Sequence, residues 1–349
     1  KIIMKNMRIN KTVYKNTSQQ EYNIIIDVRT PLEFKEDHIP NSINYPVLTN
    51  KQRHEIGIEY KENSFLAKKV GASIISLNIS KIINKIKFDK KQKILIYCWR
   101  GGLRSLSLYL VLKQIGYDVT LLDGGYKNYR RFIVKFFETS CEKYKFNQIM
   151  GVTGVGKTLF IKELSKNYQV IDFEGLANHK GSILGNIPNK NQPSQKYFET
   201  LIYEKLNSFN SKKNIWVEAE SIKVGKLSIP SKIWKNMPLG KNVKVISSLE
   251  ERVRFILKDY KYFTNTPSLM KEALKVLKKI IPKEEFLMIE ENLKKKEYFQ
   301  FVKSLIKYHY DKAYKKTRAE SVSNIFNEIY LDKINLLNIK KAIKQNNYF

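Results

Sequence analysis

The stretch that organises this chain is Tyr97-Cys98-Trp99-Arg100-Gly101-Gly102-Leu103-Arg104-Ser105. The apolar run 94–96 before it predicts a buried strand, and the apolar-periodic run 106–115 after it predicts a helix. A cysteine in such a loop meets backbone N–H groups and the positive end of a helix dipole, which favour a thiolate and hold an anion beside it. Arg100 and Arg104 add positive charge. We therefore predict a nucleophilic or sulfur-carrying cysteine; the alternative is that Cys98 is a small buried hydrophobic residue at a strand end.

The overall composition is that of a globular protein. A length of 349 residues with 42% hydrophobic content indicates two or three domains. The sequence has no uninterrupted apolar run of about 18 residues, so we expect no transmembrane helix, and residues 1–5 lack the apolar core of a secretory signal. The two cysteines, Cys98 and Cys141, form neither a disulfide framework nor a zinc site. We therefore expect a protein of the reducing cytoplasm.

The charge balance points to a polyanionic partner. Lys and Arg number 64 against 33 Asp and Glu, which gives a formal net charge of +31. Such an excess favours nucleic acid first and an anionic membrane second. Lys, Ile and Asn are abundant throughout the chain, as AT-rich genomes favour, so part of this charge reflects base composition.

The first part of the chain alternates predicted strands and helices. Strands are expected at 23–28, 42–46, 94–96 and 117–122, with mostly helical, basic sequence over 51–90. This alternation predicts a parallel sheet covered by helices, in a domain over residues 1–131. Residues 132–145 are predicted as a linker helix that contains Cys141, which we interpret as an incidental thiol because it lacks the glycines and arginines that surround Cys98.

A second α/β domain is predicted over residues 146–260. Its expected strands lie at 146–150, 169–173, 214–217 and 243–246. The remaining residues, 261–349, are predicted to form a helical, basic C-terminal region. The fold class is therefore α/β throughout, with two parallel-sheet domains followed by helices.

The most specific motif lies in the second domain, where Gly151-x4-Gly156-Lys157-Thr158 matches the P-loop pattern between a strand and a helix. The glycines, including Gly154, allow backbone N–H groups to surround a phosphate. Lys157 reaches the terminal phosphates, and Thr158 is a candidate Mg²⁺ ligand. A nucleotide is the usual ligand of such a loop, but any diphosphate would meet the same N–H groups.

Acidic and imidazole groups follow other strands of this domain. Glu218 and Glu220 are two apart on extended chain and so face the same side, where either could orient a metal ion or a water; the alternative is a solvent-facing pair. The polar loop from Asp172 to Ser182 also carries Glu174 and His179. We consider a ligand contact and a purely structural role equally for His179.

Two groups of residues resemble the rhodanese homology domain: Ile26-Asp27-Val28-Arg29 with Glu33-Phe34, and His38-Ile39-Pro40-Asn41-Ser42-Ile43-Asn44. The resemblance implies an active-site loop whose cysteine becomes a persulfide. The loop after Cys98, however, has one residue more than that of the usual sulfurtransferases. In length it is similar to the loop of the Cdc25-like phosphatases, which leaves phosphate-ester hydrolysis open as an alternative.

The combination of this domain with a P-loop domain resembles the tRNA 2-selenouridine synthase family over about residues 22–260. The resemblance is carried by ordered motifs: Cys98 to Ser105, Asp123-Gly124-Gly125-Tyr126-Lys127, Gly151 to Thr158, Glu174-Gly175-Leu176-Ala177-Asn178-His179-Lys180-Gly181-Ser182, Gln192-Pro193-Ser194-Gln195 and Glu218-Ala219-Glu220-Ser221. It implies a tRNA substrate, in which a wobble 2-thiouridine is S-geranylated with geranyl diphosphate and then converted to 2-selenouridine with selenophosphate.

In this interpretation the two loops serve the two steps. The P-loop residues Gly151, Gly154, Gly156, Lys157 and Thr158 bind the diphosphate of the geranyl donor, with Mg²⁺ as a possible companion. Cys98 serves the selenium step, surrounded by Arg100, Gly101, Gly102 and Arg104. The rival hypotheses are a phosphatase that uses Cys98, a nucleotide-dependent sulfurtransferase or kinase, and a non-catalytic RNA-binding protein. The sequence indicates no oligomeric state.

Overall fold

The computed structural model describes residues 9–15, 18–182, 184–219, 221–261, 274–315 and 325–349. The elements up to residue 145 are β1 Lys11–Thr12, α1 Ser18–Glu21, β2 Ile24–Asp27, α2 Pro31–Glu36, β3 Ser42–Asn44, α3 Asn50–Glu62, α4 Ser64–Lys85, β4 Lys93–Tyr97, α5 Leu103–Ile115, β5 Asp118–Leu122 and α6 Gly125–Lys135. A π-helical turn at Phe136–Ser140 and a 3₁₀ turn at Cys141–Lys143 follow.

The elements after residue 145 are β6 Phe146–Met150, α7 Lys157–Leu164, β7 Gln169–Ile171, α8 Phe173–Leu176, α9 Gln195–Ser208, β8 Ile215–Glu218, β9 Lys223–Val224, β10 Leu227–Ser228, α10 Ser231–Asn236, β11 Asn242–Ile246, α11 Leu249–Asp259, α12 Lys283–Lys294, α13 Tyr298–Leu305, α14 Asp311–Lys315, β12 Ile325–Tyr330 and α15 Leu336–Gln345. A 3₁₀ turn covers Met237–Leu239, and a π-helical turn covers Ile306–Tyr310.

The chain forms two compact units. The first comprises residues 1–138 and 194–207, and the second comprises residues 139–193 and 208–349. Each unit contains a five-stranded parallel sheet, with strand order β1-β5-β4-β2-β3 in the first and β12-β11-β6-β8-β7 in the second. This confirms the predicted α/β class with parallel sheets.

The core of the first unit surrounds its central strands. Ile26 of β2 and Ile94 and Ile96 of β4 are fully buried, as are Leu108 and Leu112 of α5. Parallel strands buried on both faces need near-continuous apolar sequence, which the runs at 24–26 and 94–97 supply. Because β4 lies in the middle of this sheet, its carboxyl end holds the Cys98 loop against a rigid core.

The second unit is wound in both directions from β6. The chain passes from β6 to β7 at one edge and returns to β8 beside β6, whereas β11 and β12 lie on the other side of β6. Ligands of open α/β sheets bind at the carboxyl ends of the strands where the winding changes direction. The loop after β6, residues 151–156, lies at this position.

Three sequence predictions of organisation need correction. Residues 194–207 were placed in the P-loop domain, whereas most of α9 packs in the first unit, with Phe198, Ile202, Tyr203 and Leu206 buried. The linker predicted as one helix over 132–145 continues α6 only to Lys135 and then forms π and 3₁₀ turns.

The third correction concerns the C-terminal region, predicted as helical from residue 261. It contributes β12, which pairs in parallel with β11 and completes the second sheet. Parallel pairing with a strand some eighty residues earlier determines this conformation, and local sequence does not reveal it. Within the described part of the chain, every helix is too short or too polar to cross a lipid bilayer.

Candidate active sites

The Cys98 loop connects the end of β4 to the start of α5, as predicted. Cys98 is buried, with 3% of its surface exposed. The backbone N–H of Gly102 donates to its sulfur at 3.2 Å, and the hydroxyl of Ser105 lies 3.2 Å from Sγ and 3.1 Å from Gly102 O, so it can donate to either. Donors at these positions stabilise negative charge on the sulfur. The geometry therefore suits a thiolate nucleophile or carrier.

Helix α6 stabilises the Cys98 loop through hydrogen bonds to the loop backbone. The backbone N–H groups at the start of α6 donate to the loop carbonyls, from Tyr126 to Cys98 O at 2.8 Å and from Lys127 to Trp99 O at 2.9 Å. Gly125 adopts φ +55°, and a Cβ atom there would collide with Cys98 O. The close approach of α6 therefore requires glycine at this position.

The two arginines of the loop do not contact the sulfur. Arg104 forms a bidentate pair with Glu33, at 2.8 and 3.2 Å, and Arg100 is exposed. Burial opposes ionisation of Glu33, but the hydrogen bonds and charge of Arg104 outweigh it and lower the pKa of this carboxyl. Of the five residues predicted for this site, the structure brings together Cys98 and Gly102. Gly101 supports the loop in a left-handed conformation with φ +69°.

The Arg104–Glu33 pair also bears on the phosphatase alternative. A cysteine phosphatase of the C-x5-R pattern needs its arginine fork to bind a phosphate ester. Here both ends of that fork are engaged by a carboxylate, and Glu33 is further fixed because it caps α2 together with Thr30. The arrangement therefore favours a structural role for Arg104 over phosphate binding.

Asp27 and Arg29 form a buried support at the carboxyl end of β2. The Arg29 guanidinium lies 2.6 Å from the Asp27 carboxylate and 4.0 Å from the centre of the Tyr126 ring. It also donates to the carbonyl of Asp37. A buried pair with all these contacts fixes the backbone around it, and Tyr126 lies in the first turn of α6, which donates to the carbonyls of the Cys98 loop.

The P-loop adopts the conformation that its glycines predict. Gly151, Gly154 and Gly156 have φ values of +143°, +88° and +85°. A Cβ atom at Gly151 would lie 2.6 Å from Val245 O, and one at Gly156 would lie 2.6 Å from the Ile334 side chain. The Lys157 ammonium donates to the carbonyl of Gly151 at 3.0 Å, so its side chain folds back over the loop. The loop therefore has the positive-φ glycines and the folded-back lysine that the prediction of a phosphate-binding loop requires.

An acidic residue meets the loop at its helical end. The Thr158 hydroxyl lies 3.3 Å from a carboxylate oxygen of Glu174, at the start of α8. A hydroxyl and a carboxylate beside a phosphate site are oxygen ligands that suit Mg²⁺, which commonly keeps its other positions for water and substrate phosphate. The residues present therefore fit the predicted ion. Asp172, by contrast, caps α8 by accepting a bond from Gly175 N at 2.7 Å.

Glu218 lies at the carboxyl end of β8, directly beside Ile149 of β6. It is only 3% exposed, so it is not the solvent-facing residue of the alternative interpretation. The side chain therefore belongs to the same sheet edge as the P-loop. Glu220, the second predicted acid, lies outside the described residues.

His179 is a packed side chain. It is 5% exposed, and Cβ atoms added at Gly185 or Gly225 would lie 2.9 or 2.8 Å from its ring. Burial lowers its pKa, with a hydrogen bond to Asn186 opposing that effect. The structure thus places His179 inside the 172–192 loop as a neutral ring, which supports the structural role of the two we considered.

Two contributors to these sites were missed in the sequence. Ser105 follows the loop, and a serine in the first helical turn after a cysteine is a sequence signal for a contact with the sulfur. Arg252 of α11 donates to the carbonyl of Thr153 in the P-loop at 2.9 Å and pairs with Asp311 at 2.6 Å. No local sequence pattern indicates the role of Arg252, because its partners lie 99 and 59 residues away.

Across the described residues, no cluster of three His, Cys, Asp or Glu side chains is arranged to hold a metal ion.

Two family models match the chain. A rhodanese-like domain matches residues 10–131, and the AAA domain of tRNA 2-selenouridine synthase matches residues 144–335. The second match covers more than half of the chain.

Curated relatives agree. The chain is 33% identical over 245 residues to a tRNA 2-selenouridine synthase from Nitrosomonas europaea, covering 68% of this chain and 63% of that protein. It is 34% identical over 251 residues to the Nitrosomonas eutropha protein of the same name, and that match covers 68% of this chain and 62% of that protein. It is 30% identical over 269 residues to the tRNA 2-selenouridine synthase of Shewanella woodyi, and that match covers 72% of this chain and 70% of that protein. The match to the two Nitrosomonas proteins thus spans somewhat less than two thirds of their length. With its rhodanese-like unit, its P-loop unit and this similarity, the chain belongs to the tRNA 2-selenouridine synthase family.

Proposed function

We propose that this chain converts 2-thiouridine at the wobble position of tRNA to 2-selenouridine in two steps. The first step is S-geranylation with geranyl diphosphate, and the second replaces the geranylthio group with selenium from selenophosphate. The observation that carries the proposal is the family match over both units in order, with a candidate anion-binding loop in each. Alkylation makes sulfur a better leaving group, which gives the first step its chemical purpose.

The P-loop serves the geranyl transfer. The uridine sulfur attacks C1 of the geranyl group, the C–O bond to the diphosphate breaks, and negative charge grows on the leaving diphosphate. Backbone N–H groups of residues 151–157 and the Lys157 ammonium stabilise that charge, and Lys157 exchanges its bond to Gly151 O for a phosphate oxygen. A Mg²⁺ ion held by Thr158 and Glu174 would neutralise part of the diphosphate charge when bound.

The Cys98 loop serves the selenium step. The N–H of Gly102 and the hydroxyl of Ser105 lie within hydrogen-bond distance of Cys98 Sγ, where they stabilise negative charge that develops on it. Cys98 Sγ attacks C2 of the base, and the bond from C2 to the geranylthio sulfur breaks to release geranylthiol. The selenium of selenophosphate then displaces Cys98 from C2, and water cleaves the Se–P bond to give 2-selenouridine and phosphate. Burial of the sulfur protects a reactive species from water and competing oxidants. Selenophosphate is the donor, and its anionic group matches the positive potential at the start of α5.

The tRNA is bound through its backbone. The net charge of +31 supplies the attraction, and α4 alone presents exposed lysines at positions 68, 69, 81 and 85. A tRNA substrate supports the proposal of a cytoplasmic protein. Affinity for tRNA should fall steeply as salt rises, and binding that ignores salt would contradict this contact mode.

The geranyl step is tested by replacing the P-loop lysine. Lys157→Ala should reduce geranylation of thiolated tRNA at least about a hundredfold, because the leaving diphosphate loses its main cation. Lys162→Ala, which removes an exposed lysine from the same helix, is the matched control and should retain the wild-type rate. Normal geranylation by Lys157→Ala would refute the assignment of this loop.

A further inference from the structure

The second unit contains a cavity beside the P-loop that the mechanism above does not use. It lies between α11, the α13 helix with the π turn that follows it, and the loop after α8. Its described walls are mainly aliphatic and aromatic, including Leu184, Ile256, Phe301, Val302, Leu305 and Ile306. Phe301, Val302, Leu305 and Ile306 also belong to the buried cluster of the C-terminal helices. The cavity therefore offers an apolar surface on a packed support.

The cavity is joined to the P-loop through shared residues. Thr153 of the P-loop lines it directly. Ile256, another wall residue, packs on the neighbouring Gly154, where an added Cβ atom would lie 2.7 Å from Ile256 Cδ1. Arg252, one helical turn before Ile256, donates to Thr153 O and fixes α11 against the loop. A ligand with its phosphates in the P-loop would thus have this apolar space next to it.

The polar loop singled out in the sequence forms another wall. Ser182, the last residue of that loop, and Leu184, two residues after it, line the cavity. Lys180 pairs with Asp259 at 2.7 Å and lies 4.2 Å from the centre of the Tyr260 ring, so it ties the loop to the end of α11. The contacts of Lys180 with Asp259 and Tyr260 therefore stabilise the position of this cavity wall.

We propose that this cavity binds the hydrocarbon chain of an isoprenoid diphosphate whose phosphates occupy residues 151–158. The inference rests on the proposed function and extends it by naming the walls of the geranyl site. A nucleotide would need hydrogen-bonding partners for its base and ribose, whereas the described walls are mainly apolar. An apolar chain leaves no hydrogen-bonding group unsatisfied in such a space and gains from leaving water.

The test compares ligands with and without the chain. The affinities of the full-length protein for geranyl diphosphate, inorganic diphosphate and ATP are measured by calorimetry with Mg²⁺ present. Geranyl diphosphate should bind at least about tenfold more tightly than diphosphate, because several methylene-sized groups leave water. Val302→Trp, which fills the cavity, should abolish this preference and leave the affinity for diphosphate unchanged. Leu287→Trp, at a position of α12 that is 52% exposed, is the matched control and should retain the preference.

The outcomes separate the two proposals. If the wild type prefers geranyl diphosphate and Val302→Trp keeps that preference, the cavity assignment is wrong while the geranyl reaction stands. If the wild type binds diphosphate or ATP as tightly as geranyl diphosphate, the geranyl donor itself is wrong, and the cavity assignment falls with it. Phe301→Ala provides a second variant if Val302→Trp also loses diphosphate binding. It should enlarge the cavity and move the preference towards farnesyl diphosphate, and an unchanged chain-length preference would overturn the cavity assignment.

Discussion

At the scale of single residues, the structure adds Ser105 to the cysteine site. Its hydroxyl lies 3.2 Å from Cys98 Sγ and is buried in the first turn of α5. Ser105→Ala should lower the rate of selenium incorporation roughly 10- to 100-fold, the effect of losing one hydrogen bond to a charged group. The rate of geranylation should be unchanged, because we assign that step to the P-loop.

Ser107 supplies the control for this prediction. It lies on the same helix, and its hydroxyl donates to the backbone carbonyl of Leu103 at 2.8 Å. Ser107→Ala should retain the wild-type rates of both steps in single-turnover assays. Equal rates for Ser105→Ala and the wild type would remove Ser105 from the mechanism.

The glycines of the Cys98 site differ in whether the surrounding structure has room for a Cβ atom. Gly125→Ala would place Cβ against Cys98 O on a backbone with φ +55°, so it should destabilise the first unit by about 2–4 kcal/mol. Gly102→Ala meets nothing within 4 Å and should leave the free energy of unfolding nearly unchanged. Denaturant unfolding of both variants measures the difference. A Gly125→Ala variant as stable as the wild type would show that α6 does not depend on this close approach.

Local motifs explain which site residues the sequence could reveal. Cys98 and the P-loop glycines were predicted because a strand, a loop and a helix follow one another within a dozen residues. The partner of Arg104 could not be seen, because Glu33 lies 71 residues away. An arginine close to a cysteine in sequence indicates an anion site, but the Arg104 side chain pairs with Glu33 and does not contact the sulfur.

At the scale of elements, α9 depends on a buried polar chain in the first unit. The Thr200 hydroxyl donates to the Asp37 carboxylate at 2.8 Å and accepts a bond from the Tyr129 hydroxyl at 3.2 Å. Burial raises the pKa of Asp37, while the bonds from Tyr126 and Thr200 oppose that rise. Thr200→Val keeps the shape but removes both bonds, and it should destabilise the first unit by about 1–3 kcal/mol.

A surface position on the same helix provides the comparison. Lys196 pairs with Glu36 at 2.6 Å, with the two side chains 40% and 49% exposed. Lys196→Ala should cost less than about 1 kcal/mol, because solvent screens such pairs. Chemical denaturation of the two variants measures both effects. Equal losses would show that the buried polar chain does not hold α9.

The placement of α9 and β12 shows the limit of local patterns. The helical periodicity of residues 195–208 reveals an apolar face but not the unit against which that face packs. The six residues of β12 have an exposed or partly exposed pattern apart from Ile329, as expected for an edge strand, and they follow a lysine-rich helical region. Only pairing with β11 makes them a strand, so the helical prediction failed there.

At the scale of the whole molecule, one buried and two partly buried histidines predict how stability depends on pH. Burial lowers the pKa values of His38, His179 and His309. Below the unfolded-state value of about 6.5, the unfolded chain binds protons that the folded chain resists. Stability should therefore fall as pH drops from about 7 to 5, and this contribution should level off once the pH is below the folded-state values.

The contribution of one histidine is separable. His179→Gln should reduce the loss of melting temperature between about pH 7 and 5. Thermal unfolding followed by circular dichroism at several pH values provides the measurement. A pH profile of His179→Gln identical to that of the wild type would contradict a role for this buried ring.

The division of labour between the two loops is the central claim, and one measurement tests it most directly. Thiolated tRNA is incubated with geranyl diphosphate and selenophosphate, each omitted in turn, and its nucleosides are identified by mass spectrometry. The wild type and Cys141→Ala, which removes the only other cysteine of the sequence, should form 2-selenouridine. Cys98→Ala should accumulate geranylthiouridine without selenium, and Lys157→Ala should leave 2-thiouridine unchanged. Full conversion to 2-selenouridine by Cys98→Ala, or without geranyl diphosphate, would contradict the account.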